Sequence, residues 1–277
     1  MMTHRSSLAV LLLAGTALWM SGCDSGIGDE RDQGVGYRNG TAIADNSNES
    51  DGDDEGFTSN GERGNLIITE INWAGSVTND GVYDPDDIFI EFQNKHPRPI
   101  HLTGWQLTIE AGNNHPRMLT HHRHERGRVT YPIPLRENGL QVQPNEYIVL
   151  VKKADGAFSA VADYVVPELD IPWDFFRISL RDIDDRRMSD AGSTGQEVFA
   201  GGYDLVTVRT MERVQLLFAN QGGREASWHS YSYNPWDSEH AERISNIGDD
   251  WKERTFGSPG LANSPDYSGN TSAGTTD

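Results

Sequence analysis

The sequence predicts an all-β protein: an antiparallel β-sandwich with long loop insertions, carried behind a disordered acidic linker. Three observations predict it. Apolar and polar residues alternate at period two in many short runs. All 12 prolines fall at or after Pro85 and, with frequent glycines, cut the chain into strand-sized pieces. No long stretch shows helical periodicity with capping residues at its ends. An α/β sheet is therefore disfavoured, and a closed barrel is the competing architecture.

His4 and Arg5 precede an apolar run over 8–20, the basic start and short hydrophobic middle of an export signal, too short to span a bilayer. The run ends in Met20-Ser21-Gly22-Cys23, which resembles the bacterial lipobox, where a peptidase cuts before an acylated cysteine. A signal peptide over 1–22 and acyl chains on Cys23 would hold the protein to a membrane of a bacterial cell envelope, facing the periplasm or the exterior. An ordinary signal peptide with an incidental cysteine is the competing reading. Residues 24–64 hold eleven acidic residues, three basic ones and nine glycines. Such a composition cannot offset the entropy of ordering itself, so 23–64 reads as a tether with a span of about 35 Å. Residues 264–277 read as a flexible tail.

The first strand is expected over 65–73, where Ile67, Thr69, Ile71 and Trp73 alternate with Leu66, Ile68, Glu70 and Asn72. Ile88, Ile90 and Phe92 mark the second. Ile100 and Leu102 give way to Trp105, Leu107 and Ile109, and the one-residue step at Thr103 and Gly104 reads as a bulge. Further strands are expected over 129–133, 140–142, 147–151, 162–166, 177–180, 205–208, 214–218 and 227–233.

Six segments carry a family resemblance in order. Glu70-Ile71-Asn72-Trp73-Ala74-Gly75-Ser76 is similar to the opening motif of the lamin tail domain, Asp87-Ile88-Phe89-Ile90-Glu91-Phe92-Gln93-Asn94 to its second strand and Ile100-His101-Leu102-Thr103-Gly104-Trp105 to its third. Pro144 to Leu150, Thr210 to Val214 and Gly257-Ser258-Pro259-Gly260-Leu261-Ala262-Asn263 continue the pattern. The resemblance spans 65–263. It implies an immunoglobulin-like sandwich acting as a binding or scaffolding module, as in many bacterial surface proteins. Two stretches depart from it as insertions, 113–128 and 153–209. No coiled-coil rod precedes the domain, so the filament role of lamins does not transfer.

Composition narrows the function. With 23 Lys+Arg against 42 Asp+Glu, the formal charge of −19 argues against a nucleic-acid partner. The single cysteine excludes a disulfide framework and multi-thiolate zinc. A mean hydropathy of −0.60 excludes a multispanning membrane protein. No Gly-x-Ser-x-Gly elbow, His-Glu-x-x-His helix or phosphate-cradling glycine loop is present, so no catalytic residue is assigned and an enzyme is not expected. The partners expected are the membrane, through the anchor, and a protein or glycan. The runner-up is a cell-surface hydrolase or glycan-binding protein using the insertions.

Several clusters are candidate sites, each with a plainer competitor. His115, His121, His122 and His124 offer imidazoles to zinc or copper, although Arg123, Arg126 and Arg128 oppose a cation and a solvated loop explains them too. Asp51, Asp53, Glu55, Gly56 and Glu62 fit positions 1, 3, 5, 6 and 12 of an EF-hand-like calcium loop, without flanking helices. Asp182, Asp184, Asp185 and Asp190 surround Arg186 and Arg187, a calcium loop or an internally paired turn, and Asp80, Asp84, Asp86 and Asp87 pose the same choice. No cofactor is expected, and calcium is the one the acidic loops admit. Trp228, Tyr231, Tyr233 and Trp236 suit either a glycan platform or core packing. Glu70, Glu91 and Glu212 form either an acid–base set or polar strand positions that satisfy backbone or arginine donors.

Overall fold

The computed structural model describes residues 36–38, 41–43, 63–112, 127–133, 141–214, 222–234, 236 and 238–267. The chain groups into two units, Met1–Gln33, which lies outside the described residues, and Gly34–Asp277, which holds every element below. The protein is an all-β sandwich. Its strands in chain order are β1 (Gly36–Arg38), β2 (Thr41–Ile43), β3 (Leu66–Asn72), β4 (Ser76–Val77), β5 (Tyr83–Asp84), β6 (Phe89–Asn94), β7 (Ile100–His101), β8 (Gln106–Ala111), β9 (Arg128–Pro132) and β10 (Gln141–Val142). They continue with β11 (Tyr147–Val151), β12 (Tyr164–Val165), β13 (Phe176–Arg181), β14 (Arg187–Ser193), β15 (Gly202–Tyr203), β16 (Val208–Arg209), β17 (Met211–Arg213), β18 (Trp228–Ser230) and β19 (Thr255–Phe256). One short helix, α1 (His240–Arg243), lies between the last two. Among the described residues no helix is long and apolar enough to cross a membrane.

Two sheets make the sandwich, a six-stranded one in the order β12-β11-β6-β3-β17-β18 and a four-stranded one in the order β14-β13-β8-β9. Pairing is antiparallel throughout except for β11 with β12. Between the sheets, Leu66, Ile68, Ile71, Ile90, Phe92, Ile148, Leu150 and Met211 meet Leu107, Ile109, Phe176, Ile178, Leu180 and Met188 in one continuous core. The three-stranded sheet β15-β16-β19 flanks it, with β16 and β19 parallel. Arg213 ties the two large sheets together: buried at 4% exposure, it donates from Nη1 to Ile68 O on β3 and to Ser189 Oγ on β14.

The period-two pattern of β3 changes phase inside the strand. Ile68 and Ile71 both enter the core because the register with β6 shifts between Ile68 and Glu70. A bulge at Thr69 adds one residue, so Glu70 joins Glu91 on the opposite face. At Thr103-Gly104 the expected bulge is instead a tight turn: Gly104 has φ of 73° and Trp105 N donates to Leu102 O at 3.0 Å. That turn carries the chain from β7, paired with β10, into the four-stranded sheet.

The strand expected over 205–208 is also a turn for most of its length. Asp204 accepts both the Val206 and Thr207 amides, which leaves only Val208 in a strand. The strand expected over 214–218 lies outside the described residues beyond Val214. The stretch 153–209, set apart as an insertion, contributes β13 and β14, half of the four-stranded sheet. Its polar second member, Arg187–Ser193, gave no apolar alternation to read.

Candidate functional site

The six-stranded sheet has a second buried face. At one side Phe89, Val149 and Val151 pack against Phe158 and Ile247, with Phe89 and Phe158 edge to face at 4.6 Å. At its centre lies a row of acids. Strand register sets Val149 opposite Glu91, Glu91 opposite Glu70, Glu70 opposite Glu212 and Glu212 opposite His229. Glu70, Glu91 and Glu212 are each 0% exposed.

The segment after β19 covers this row and supplies its donors. Ser258 N donates to Glu70 Oε1 at 2.9 Å, Gly260 N to Glu91 Oε2 at 2.6 Å and Ser264 N to Glu212 Oε2 at 3.0 Å. Hydroxyls complete the set: Thr69 donates to Glu91 Oε1 at 2.5 Å, Ser258 to Glu212 Oε1 at 2.6 Å, and Ser264 to Glu212 Oε2. Asn263 Nδ2 fastens the same segment by donating to the carbonyls of Thr69 and Arg213. Gly257 is required where the segment lands, since a Cβ there would sit 2.7 Å from Glu70 Oε1 and from Thr210 Cγ2. The ordered motifs at 70–76, 87–94, 210–214 and 257–263 thus meet in one place. The body also continues past residue 263, because Ser264 and Asp266 are buried.

Like charges directly across strands repel, and burial removes the water that would screen them. Burial, followed by the neighbouring Glu212 and Glu91, holds the Glu70 carboxyl well above the usual carboxylate range. Burial pushes Glu91 up to about 8 and raises Glu212 as well, although His229, with Nε2 3.8 Å from Glu212 Oε2, pulls the latter back. Ser258 Oγ lies 3.3 Å from Glu70 Oε2 and gives its only proton to Glu212 at the shorter distance. A neutral Glu70 is the partner that fits, donating its own proton back to Ser258. None of the three presents an atom to solvent, and each is bonded to the segment that covers the row.

The other expected sites fare differently. Cys23, the histidines at 115, 121, 122 and 124, and Asp51, Asp53, Glu55 and Glu62 lie outside the described residues. Asp182, Asp184 and Asp185 shape the β13–β14 turn. Asp182 Oδ1 accepts the Asp184 and Arg186 amides and Oδ2 the Arg186 guanidinium at 2.5 Å, while Asp185 pairs with Arg181. The Asp182 oxygens are thus engaged by two backbone amides and the Arg186 guanidinium. Asp84 and Asp86 pair with Lys153 and Lys152, and Asp87 accepts from Ser76 Oγ and Ala157 N. Among the described residues no group of three His, Cys, Asp or Glu side chains could hold a metal ion.

The aromatic set at 228–236 is not one platform. Trp228 is in the core with Nε1 donating to Gly222 O at 2.7 Å, and Tyr231 is 0% exposed with its hydroxyl against His240 Nδ1. Tyr233 leans on His240 and Phe256, and only Trp236, 89% exposed, is free of the body. The alternation in β18 turns Trp228 into the core and Tyr231, three residues on, to the opposite face, where its amide donates to Thr210 O in continuation of the β17–β18 register. A scan against protein-family models finds no match for this chain, and a search of curated proteins finds no similar sequence.

Proposed function

We propose that this chain is a lipid-anchored, extracytoplasmic binding or scaffolding module of lamin-tail type, non-catalytic, displayed from a bacterial cell envelope. One observation carries the reading: the acids best suited to proton chemistry are sealed beneath the last segment of the chain, where they fasten the fold. The export signal, Cys23 and the acidic stretch after it support display at a distance from the membrane. Four of the six ordered motifs supporting the lamin-tail resemblance, at 70–76, 87–94, 210–214 and 257–263, converge on the glutamate row.

The test is purification from native membranes in detergent. Intact mass is expected to show acyl chains that a Cys23→Ser variant lacks, and a partner is expected to stay with the wild-type head through washing. Recovery of the wild-type protein from the soluble fraction without acyl mass overturns the anchored reading.

A further inference from the structure

Beside the sandwich, the β15–β16 hairpin and β18 border an open cavity of about 190 Å³ whose side-chain lining is Tyr203, Asp204, Thr207, Arg209 and Ser230, over the backbone of Gly201 and Gly202. At about 30 Å³ per water this is room for about six waters, smaller than a drug-sized site and matched to one end-group of a larger molecule. The lining is held in place before any ligand arrives. Tyr203 stacks on Tyr83 with ring centroids 4.1 Å apart and donates its hydroxyl to Leu205 O at 3.1 Å. Asp204 is fixed by the amides of Val206 and Thr207 and by the Thr207 hydroxyl, and Ser230 Oγ is fixed by the Gly201 amide at 2.9 Å.

Hydrogen-bonding capacity remains after these internal bonds. Ser230 still has its own O–H to donate. Asp204 Oδ2, with one donor of its own, keeps acceptor capacity, and Thr207 Oγ1 can accept. Arg209 spends one long bond, Nη1 to Tyr231 O at 3.4 Å, and keeps most of its five N–H groups. Arg209 and Asp204 cancel in charge, so an anion gains nothing net from the pair and a cation gains nothing either. Donors and acceptors side by side match vicinal hydroxyls, each of which gives and takes one hydrogen bond.

We propose that this cavity binds one neutral sugar ring, the terminal residue of a glycan. The inference deepens the binding-module reading and rests on it. It places recognition on the hairpin rather than on the aromatic run of 228–236.

The test is saturation-transfer NMR on the purified full chain with glucose, galactose, mannose and N-acetylglucosamine, followed by calorimetry on any sugar that responds. At least one is expected to show transfer to its ring protons, and Arg209→Ala is expected to weaken it about tenfold or more. Arg209→Lys keeps the charge but loses the planar fork, so it is expected to weaken binding comparably and serves if the alanine variant fails to melt cooperatively. Thr207→Val should give a smaller loss. Silence from all four sugars, undiminished binding in a folded Arg209 variant, or displacement of the sugar by acetate or inorganic phosphate overturns the proposal. Silence together with acyl mass on Cys23 removes the sugar inference and leaves the anchored module standing.

Discussion

Glu70 and Glu91 stand directly opposite each other across β3 and β6, both without exposed surface, and each accepts a backbone amide from the segment that follows β19. Two facing carboxylates in that setting cannot both keep a full charge. Protonation is therefore part of the closed structure, and stability should depend on it.

The dependence has a definite sign. Unfolded glutamate titrates near pH ~4.3, whereas burial raises Glu91 to about 8 and raises Glu70 and Glu212 as well. Between those values the folded state binds protons that the unfolded state has released, so stability is full below the lower value and falls as pH rises through the upper one. Asp204, held low first by the Thr207 amide, works in the other direction only below about pH 4. Thermal melting is expected to give a higher Tm at pH 5 than at pH 8.5, and Glu91→Gln should flatten that slope. A Tm that climbs toward alkaline pH would contradict the protonated row.

Gly257 tests the same lock sterically. An added methyl would fall 2.7 Å from Glu70 Oε1 and from Thr210 Cγ2, inside contact distance of two groups that packing holds still. Gly257→Ala is expected to cost about 1–3 kcal/mol, the usual penalty of overpacking, read as a lower denaturant midpoint with unchanged slope. Gly64→Ala, whose added Cβ would meet nothing within 4 Å but whose φ is 88°, separates backbone strain from crowding.

Trp228 and Trp236 are eight residues apart and in opposite environments. Trp228 is buried, bonded to Gly222 O, and carries the Arg213 guanidinium 5.6 Å from its ring centroid. Trp228→Ala should cost about 3–5 kcal/mol by chemical denaturation. Trp236→Ala should stay within about 0.5 kcal/mol of wild type. Equal effects would mean that the aromatic run acts as a unit.

Legibility followed the strength of the local signal. Strands such as Tyr147–Val151 and Phe176–Arg181, with apolar alternation and β-branched residues, were readable in the sequence because their own side chains declare the face they bury. Arg187–Ser193 was not, since it is a polar strand ordered by its partner Phe176–Arg181 and by Arg213 reaching Ser189 from another sheet. The three glutamates could be named as a set from their motifs. Their enclosure could not, because the cover comes from Ser258, Gly260 and Ser264, separated from Glu70 by nearly two hundred residues in the case of Ser258. The hairpin cavity left even less trace: of its lining only Thr207 fell in the strand expected over 205–208, and there Asp204 gathers the Val206 and Thr207 amides into a turn.

Leu205 sits at that turn with φ of 76° and 82% of its surface exposed. A branched L-residue in the left-handed region carries a backbone cost of about 1–2 kcal/mol, and an exposed side chain recovers little of it by packing. Glycine removes the strain but loosens the unfolded chain by about 0.5–1 kcal/mol, so Leu205→Gly should stabilise by up to about 1 kcal/mol. Leu205→Pro cannot adopt the positive φ at all and should open the hairpin that holds Tyr203 and Arg209 beside the cavity. Melting curves on both variants check the pair. A glycine variant less stable than wild type would show that the leucine side chain is held by something on its exposed face, most simply a second molecule of the protein, and the concentration dependence of Tm would reveal it.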